Sequence, residues 1–196
     1  MRKTKEDTEL TIQELLKIAR SLFTEKGYAN VALEEIVKEA GLTRGALYHH
    51  FKNKHGLFLA VFEAVQREVG EKVEEEAAKS SDMWEQLLLG CRAFITSSVK
   101  SQNQRILLID GPAVLGWDTF RLMDEKYSMK SLKEQLLKMK DHQLLMPVSI
   151  DAMTHCLSGA MNEAILWIAE NQEGVESRTE EVMENLFLMI KGFEKL

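Results

Sequence analysis

IVKEAGLTRGALYHHFKNK, residues 36–54, holds two short helical patterns separated by a glycine turn. Apolar residues recur at helical spacing through 33–40 and again through 44–51. Gly41 suits the tight end of the first helix, and the hydroxyl of Thr43 is placed to cap the second. Two helices joined in this way predict a helix-turn-helix, whose second helix fits the major groove of DNA. The same helix-glycine-helix corner also occurs in helical proteins that bind no DNA.

The second helix of this pair has a side to bury, with Leu47 and Phe51, and a side to expose. Arg44 is the candidate for a base contact, since its guanidinium can grip a guanine edge. The hydroxyl groups of Thr43 and Tyr48 are suited to donate to phosphates. The small residues Gly45 and Ala46 let the backbone approach the duplex. Lys54 opens the next helix, where free amides also favour a phosphate. The predicted DNA-binding residues are Thr43, Arg44, Gly45, Ala46, Tyr48, His49 and Lys54.

The string GLTRGALYHHFKNKHGLF, residues 41–58, resembles the recognition segment of the tetracycline-repressor-like (TetR) family of bacterial transcription regulators. The similar spacing runs from Phe23-x-x-x-Gly27-Tyr28 to Leu57. The resemblance implies an all-α fold with two domains. Residues 1–54 would form a three-helix DNA-binding head, and residues 55–196 a helical effector-binding and dimerisation domain, with 54–79 as the connecting helix.

One position departs from the family pattern. Val31 and Ala32 stand where the family usually has Thr or Ser, whose hydroxyls cap the second helix and touch a phosphate. No phosphate contact is therefore assigned to Val31 or Ala32. Asn30 is the nearest side chain able to cap this helix.

Charge is unevenly distributed along the chain. The net charge of −6 is unusual for a protein that binds nucleic acid. Residues 1–55, however, contain ten Lys/Arg and eight Asp/Glu, a net of +2, which leaves −8 for the remainder. A slightly basic head on an acidic body fits a protein that touches phosphate with one end only. Arg2, Lys3 and Lys5 add either further phosphate contacts or simply a solvated terminus.

The rest of the chain also shows helical periodicity, in keeping with its two prolines and abundant Leu, Glu, Lys and Met. Helices are predicted at 8–26, 83–101, 113–127, 131–142, 149–171 and 177–195. Gly111-Pro112 is expected to break the helical path, because proline lacks a backbone N–H. The pairs Asp82 and Glu85, Ser131 and Glu134, and Ser177 and Glu180 match capping boxes. Asn53 is a further candidate cap, for the connecting helix.

The last two helices, 149–171 and 177–195, carry more apolar surface than one packed side requires. The surplus residues are Leu157, Trp167, Phe187 and Leu188. The family resemblance implies that these helices form a homodimer, closed as a four-helix bundle about a twofold axis. A dimer would read the two half-sites of a palindromic double-stranded DNA operator. Alternatively, the pair packs inside a single monomer.

The sequence of the body, residues 55–196, gives weaker signals of function than the head does. Ten methionines and several aromatic residues in a helical domain suit an apolar pocket for a small effector, as the resemblance implies, although each residue could equally belong to the core. The candidate ligand-binding residues are Gln66, Phe94, Trp117, Phe120, Asn162 and Glu163. The three polar ones could instead face water or the dimer interface.

Other classes of protein fit less well. The sequence has no phosphate-cradling glycine loop and no nucleophile elbow, so an enzyme is not expected, and no cofactor is implied. Asp151 and His155 share a helix face, but a second pair of metal ligands is missing. Cys91 and Cys156 are expected to be buried free thiols. No membrane span or signal peptide is apparent, so the expectation is a cytoplasmic protein. The alternative function is a helical scaffold that binds a protein partner through its acidic body.

Overall fold

The computed structural model describes residues 5–170 and 172–195, and every regular element in them is helical. Two π-helical segments, Arg105–Asp110 and Glu125–Met129, and two short 3-10 turns, Tyr28–Asn30 and Gln172–Gly174, lie between the α-helices. The α-helices are α1 Lys5–Lys26, α2 Leu33–Glu39, α3 Arg44–Phe51, α4 Lys54–Ala77, α5 Met83–Val99, α6 Ser101–Gln104, α7 Gly111–Leu115, α8 Trp117–Asp124, α9 Lys130–Asp141, α10 Ile150–Ala169 and α11 Val175–Lys191. The all-α fold is confirmed. Arg2, Lys3, Asn171 and the side chain of Lys5 lie outside what the structure describes.

Packing divides the chain into two compact units. The first contains the chain as far as Val65 together with Ser101–Phe120, and the second contains Gln66–Lys100 and the chain from Arg121 onward. Helix α4 contributes Lys54–Val65 to the first unit and its remainder to the second.

The first unit is built around an aromatic cluster. The ring centroid of Phe58 on α4 lies 5.3 Å from that of Phe23 on α1 and 5.1 Å from that of Tyr28. Leu47 of α3 and Ile36 of α2 are fully buried and attach the two short helices to this core. A short helix such as α3 depends on this packing, because eight residues are too few to be stable alone in water.

Residues 101–110 belong to the first unit through hydrogen bonds to α1 and its C-terminal end. Arg20 Nη2 donates to Asn103 Oδ1 at 2.7 Å, and Arg105 Nη1 donates to the carbonyls of Thr24 and Glu25 at 3.2 Å each. The backbone N–H of Tyr28 donates to Asp110 Oδ2 at 2.9 Å. The sequence had suggested no such link to α1.

The second unit packs α5, α9, α10 and α11 with the later half of α4. Its buried residues include Leu136, Leu157, Ile165 and Ile190. Arg92 on α5 forms an ion pair with Glu180 on α11. After α11 the chain pairs with the loop before α10: Met146 N–H donates to Phe193 O, and Lys195 N–H donates to Leu144 O, each at 2.9 Å.

Several predicted helix starts are confirmed. Thr43 Oγ1 accepts from Ala46 N–H at 3.3 Å, Asn53 Oδ1 from Gly56 N–H at 2.8 Å, and Asp82 Oδ1 from Glu85 N–H at 2.8 Å. Each such cap is worth about 1 kcal/mol.

Other predicted caps are wrong. Asn30 does not cap α2; its Nδ2 donates to the carbonyl of Lys26 at 2.8 Å, and α2 begins after Ala32 without a side-chain cap. The box of Ser131 and Glu134 does not start a helix, since the chain is already helical from Trp117. The capping box of Ser177 and Glu180 is also wrong. Helix α11 begins two residues before Ser177, and Glu180 forms an ion pair with Arg92.

The expected break at Gly111-Pro112 is wrong as well. The π-helical turn ends at Asp110, and α7 follows directly with Pro112 in its first turn. Proline is tolerated in a first turn, where its missing N–H removes no bond of the new helix. The path ends instead at Gly116, whose φ of 77° is the left-handed conformation that favours glycine.

Two expected burial states also differ. Leu157 is buried within the unit and is not surplus surface. Cys91 is buried, but Cys156 is exposed on α10. Among the described residues, no helix is both long enough and apolar enough to cross a membrane.

Candidate nucleic-acid interface and cavity

Helix α3 is fixed by one side and open on the other. Leu47 is fully buried and Phe51 is half-buried, whereas Arg44, Gly45, Tyr48 and His49 are exposed. Their spacing places the four exposed residues on one side of the helix. The structure therefore brings together, on one surface, most of the residues predicted to bind DNA.

The two residues at the start of α3 are already engaged within the protein. The Thr43 hydroxyl accepts a hydrogen bond from the N–H of Ala46, which leaves its own hydrogen free to donate. Arg44 Nη2 lies 2.7 Å from Glu34 Oε1 on α2, and the Arg44 side chain remains 59% exposed. Glu34 was missed by the sequence reasoning, because ten residues and a turn separate it from Arg44 and no local spacing relates them.

Lys54 follows this surface at the start of α4, and its ammonium group contacts other residues of the first unit. Its Nζ stands 4.3 Å from the centre of the Tyr28 ring and 3.4 Å from the carbonyl oxygen of Ala29. Partial burial lowers the pKa of Lys54, and the negative charge of Asp110 opposes that shift. The ammonium group keeps further N–H donors beyond these contacts.

A second exposed surface covers α10 and α11. Trp167, Phe187, Leu188 and Met189 are large apolar side chains in contact with solvent, and Leu188 is 67% exposed. Trp167 and Met189 also line a shallow groove between the two helices. These residues are part of the surface predicted to form the dimer.

A cavity of about 500 Å³ lies within the second unit, between α4, α5, α9, α10 and the π-helical segment Glu125–Met129. Phe94, one of the six predicted ligand-binding residues, lines it. The cavity was not foreseeable in detail, because its wall is assembled from five elements.

The other five predicted ligand-binding residues do not line this cavity. Gln66 is buried, and its Oε1 accepts from the hydroxyl of Ser128 at 2.7 Å. Asn162 bonds to the carboxylate of Asp124, and Glu163 faces solvent.

The two aromatic residues among these five belong to the first unit. Trp117 is 65% exposed and stacks on Phe120 with ring centroids 5.6 Å apart. Phe120 is buried, and its ring centroid lies 6.0 Å from that of Phe62. Neither Trp117 nor Phe120 lines the cavity of the second unit.

Buried polar groups cluster behind the cavity. Asp124 is almost fully buried, which raises the pKa of its carboxyl, while Arg121 Nη1 at 2.9 Å and bonds from Ser158 and Asn162 oppose the shift. Arg121 Nη2 also lies 3.1 Å from His155 Nδ1. Burial raises the pKa of the Cys91 thiol to about 12, so this cavity residue stays a neutral thiol at neutral pH.

Asp151 and His155, considered above as metal ligands, have protein partners. Asp151 Oδ1 lies 2.5 Å from Lys133 Nζ, and His155 contacts Arg121. The residues that the structure describes contain no group of three or more His, Cys, Asp or Glu side chains arranged to hold a metal ion.

Comparison with known proteins agrees with this architecture. Residues 15–61 match the family described as "Bacterial regulatory proteins, tetR family", and residues 84–193 match "Tetracyclin repressor-like, C-terminal domain". The crystal structure of a TetR-family transcriptional regulator from Pectobacterium atrosepticum is 31% identical, with a TM-score of 0.80 and 99% of each chain covered.

Two curated relatives are similar over shorter stretches. The HTH-type transcriptional regulator AcrR of Shigella flexneri is 36% identical over 108 residues, which is 55% of this chain and half the length of that protein. The transposon Tn10 TetC protein of Escherichia coli is 25% identical over 154 residues, 79% of this chain and 78% of the relative. With family matches at 15–61 and 84–193 and a solved relative that covers 99% of its length at 31% identity, the chain belongs to the TetR family of bacterial regulatory proteins.

Proposed function

We propose that this protein is a transcriptional repressor that binds a palindromic DNA operator as a homodimer and is released from it by a small-molecule effector. The observation that carries the proposal is the exposed side of α3, where Arg44, Tyr48 and His49 face solvent beside the capped start of the helix. Such a helix can enter the major groove with its N-terminal residues at the base edges. Because bacterial DNA lies in the cytoplasm, the protein acts there.

Each side chain on this surface has a distinct role. Arg44 reads a base edge with its bidentate fork. Thr43 and Tyr48 donate to phosphates and fix the position of the helix on the duplex, and His49 contacts either a phosphate or a base. Gly45 and Ala46 keep the surface low enough for the backbone to approach the DNA.

Lys54 contributes a phosphate contact from the start of α4. Its Nζ lies over the Tyr28 ring and has further N–H donors for a phosphate. Neutralising one phosphate contact releases about one counterion. Lys54→Ala should therefore lower the slope of log affinity against log salt by about one unit, for every DNA sequence alike.

Dimerisation follows from the apolar surface on α10 and α11. Leu188 and Met189 expose more apolar area than isolated surface residues need, and the helix pair resembles half of a four-helix bundle. Two α3 helices held by one twofold axis read two half-sites, so their separation becomes part of the specificity.

Effector control requires that the ligand bind more tightly to the form that does not bind DNA. The cavity wall includes Val73, Glu74 and Ala77 of α4, and the same uninterrupted helix begins at Lys54, directly after α3. A ligand that favours another position of α4 would thereby favour another position of the recognition helix.

The test is a shift assay on a duplex selected by the protein from random DNA. Arg44→Ala should weaken binding by about 1–3 kcal/mol and relax the sequence preference at one base position. The control is Lys140→Ala, which removes a positive charge from the exposed side of α9 and should leave affinity unchanged. If Arg44→Ala binds as tightly and as selectively as the unaltered protein, α3 is not the reading helix.

A further inference from the structure

The wall of the cavity has a definite hydrogen-bonding character that limits what it can bind. Its apolar part includes Leu87, Cys91, Phe94, Met129, Leu132 and Met161. A volume of about 500 Å³ suits one compact lipophilic molecule of drug size. Specificity must then come from the polar atoms of the wall, and most of those have their donors already in use.

The three serine hydroxyls of the wall donate to other groups of the protein. Ser131 Oγ donates to Glu74 Oε1 at 3.1 Å, and Ser158 Oγ donates to Asp124 Oδ2 at 3.5 Å. Ser128 Oγ donates to the buried Gln66 Oε1 at 2.7 Å. The hydroxyl hydrogens of Ser131 and Ser158 therefore point toward these carboxylate oxygens, with the bond of Ser158 at the outer limit of hydrogen-bond distance. Each serine oxygen is left with lone pairs, which can accept from a ligand.

The side-chain amide of Gln135 on α9 also has its N–H donors in use. Gln135 Nε2 donates to Met83 O at 3.0 Å and to Gln86 Oε1 at 3.1 Å, which uses both of its N–H groups. Its carbonyl oxygen remains to accept. Gln86 Nε2 spends one of its own two donors on Ser80 O at 2.8 Å.

The charged residues of the wall also favour a ligand that donates hydrogen bonds and carries a positive charge. Glu74 and Glu134 contribute two negative charges, and Lys138 contributes one positive charge. Glu134 and Lys130 are 3.9 Å apart and both exposed, a pairing too weak to cancel the charge of Glu134. The wall therefore combines hydrogen-bond acceptors with a net negative charge.

From this arrangement we infer that the cavity takes a lipophilic amine, whose protonated –NH3⁺ group donates to the serine oxygens, to Gln135 Oε1 and to the acidic residues. A carboxylate ligand would find donors at Lys138 and at the second N–H of Gln86, but it would meet lone pairs and like charges over the rest of the polar wall, which is unfavourable. A quaternary ammonium would carry the right charge with no hydrogen to donate. The inference rests on the proposed function in taking the cavity as the effector site.

The experiment compares four probes that share one apolar body: 4-phenylbenzylamine, 4-phenylbenzyl alcohol, 4-phenylbenzoate and N,N,N-trimethyl-(4-phenylbenzyl)ammonium. Calorimetric titration into the full chain without DNA gives each affinity. The amine should bind tighter than the benzoate by on the order of ten-fold or more, and tighter than the alcohol and the trimethylammonium by several-fold. A benzoate or a trimethylammonium that binds as tightly as the amine overturns the inference, as does a failure of all four probes to bind.

Variants locate the binding and separate charge from shape. Combining Glu74→Gln with Glu134→Gln, both at exposed positions, should reduce the amine's advantage over the alcohol several-fold, whereas Lys138→Gln should leave amine affinity intact or improve it. Ala78→Trp fills the mouth of the cavity from an exposed position and should abolish binding. Amine binding that survives Ala78→Trp, or that falls with Lys138→Gln, contradicts the assignment. Operator binding by the ligand-free protein is measured separately, so a failed ligand class leaves the repressor function standing.

Discussion

Arg44 Nη2 lies 2.7 Å from Glu34 Oε1, so the arginine that should read DNA is ion-paired to the preceding helix in the free protein. Both side chains are more than half exposed, and such pairs contribute only about 0.2–1 kcal/mol. The pair is weak enough for DNA to break it. It holds the guanidinium at the surface of α3 and opposes binding by the cost of its release.

Removing this competitor should tighten DNA binding. Glu34→Gln frees Arg44 and removes a negative charge near the phosphates, so we expect an affinity about two- to five-fold higher. The measurement is fluorescence anisotropy on the selected duplex. Glu39→Gln removes the same charge from α2 without touching the Arg44 ion pair and should have a smaller effect. Equal gains for both variants would mean that only general charge matters.

Two glycines of the head should respond in opposite ways to alanine. A Cβ on Gly56 would lie 2.2 Å from the backbone oxygen of Phe51, so Gly56→Ala should destabilise the head by about 1–3 kcal/mol. A Cβ on Gly45 has only Thr43 Oγ1 nearby, at 3.9 Å. Gly45→Ala should raise helix stability by up to about 1 kcal/mol and yet weaken DNA binding.

Urea denaturation and anisotropy on the same samples separate stability from binding. The decisive result is the pairing of higher stability with lower affinity in Gly45→Ala. If that variant binds DNA as well as the unaltered protein, the backbone of α3 does not approach the duplex closely at Gly45.

The apolar surface on α11 should set the oligomeric state. Leu188→Glu places a charge where 67% of the side chain is exposed in the single chain, so it should leave the fold intact and convert a dimer to a monomer. Sedimentation velocity measures the change, and DNA affinity should fall with it. Leu137→Glu, at an exposed position of α9, is the matched control and should remain dimeric. Identical behaviour of the two variants would remove α11 from the interface.

Acid should weaken the ion pairs of Glu76 with Lys72 and Lys79 near the end of α4. Hydrogen bonds from Lys79 and Lys72 lower the pKa of Glu76 to about 2, below its ordinary value of 4.5. Because the folded-state pKa is depressed, this stabilisation is present above about pH 4.5 and is lost as the pH falls toward 2. Glu76→Gln should therefore have a lower free energy of unfolding than the unaltered protein at pH 7. The difference between the two proteins, the margin, should shrink as the pH falls from about 4.5 toward 2.

Chemical denaturation at a series of pH values measures that margin, and an NMR titration of the Glu76 carboxyl gives its pKa directly. The three side chains are at the surface, so 1 M salt should also shrink the margin. A margin that stays constant from pH 7 to 3, or a Glu76 carboxyl that titrates near 4.5, would contradict this account.

Local patterns predicted the features that depend on a few consecutive residues. Thr43 and Asp82 cap their helices as expected, because a cap needs only one side chain and a backbone N–H three residues away. The exposed side of α3 followed from helical spacing alone. The predicted division into a head, 1–54, and a body, 55–196, came from family resemblance and not from spacing.

Features that depend on packing between distant segments were not predictable in this way. Ser131 has the spacing of a capping box with Glu134, yet its hydroxyl bonds Glu74 across to α4. Gln66 was predicted to bind ligand because it is polar on an apolar helix, and its Oε1 accepts a hydrogen bond from Ser128 of the cavity wall. In both cases the hydrogen-bond partner lies more than fifty residues away in the sequence.

If α3 reads DNA as one of a twofold pair, selection of bound duplexes from a random pool should enrich one motif made of two inverted half-sites at a fixed separation. Arg44→Ala and Leu188→Glu should each abolish that enrichment. Enrichment of a single, non-palindromic half-site, or no enrichment above the starting pool, would show that α3 does not act as one of a twofold pair.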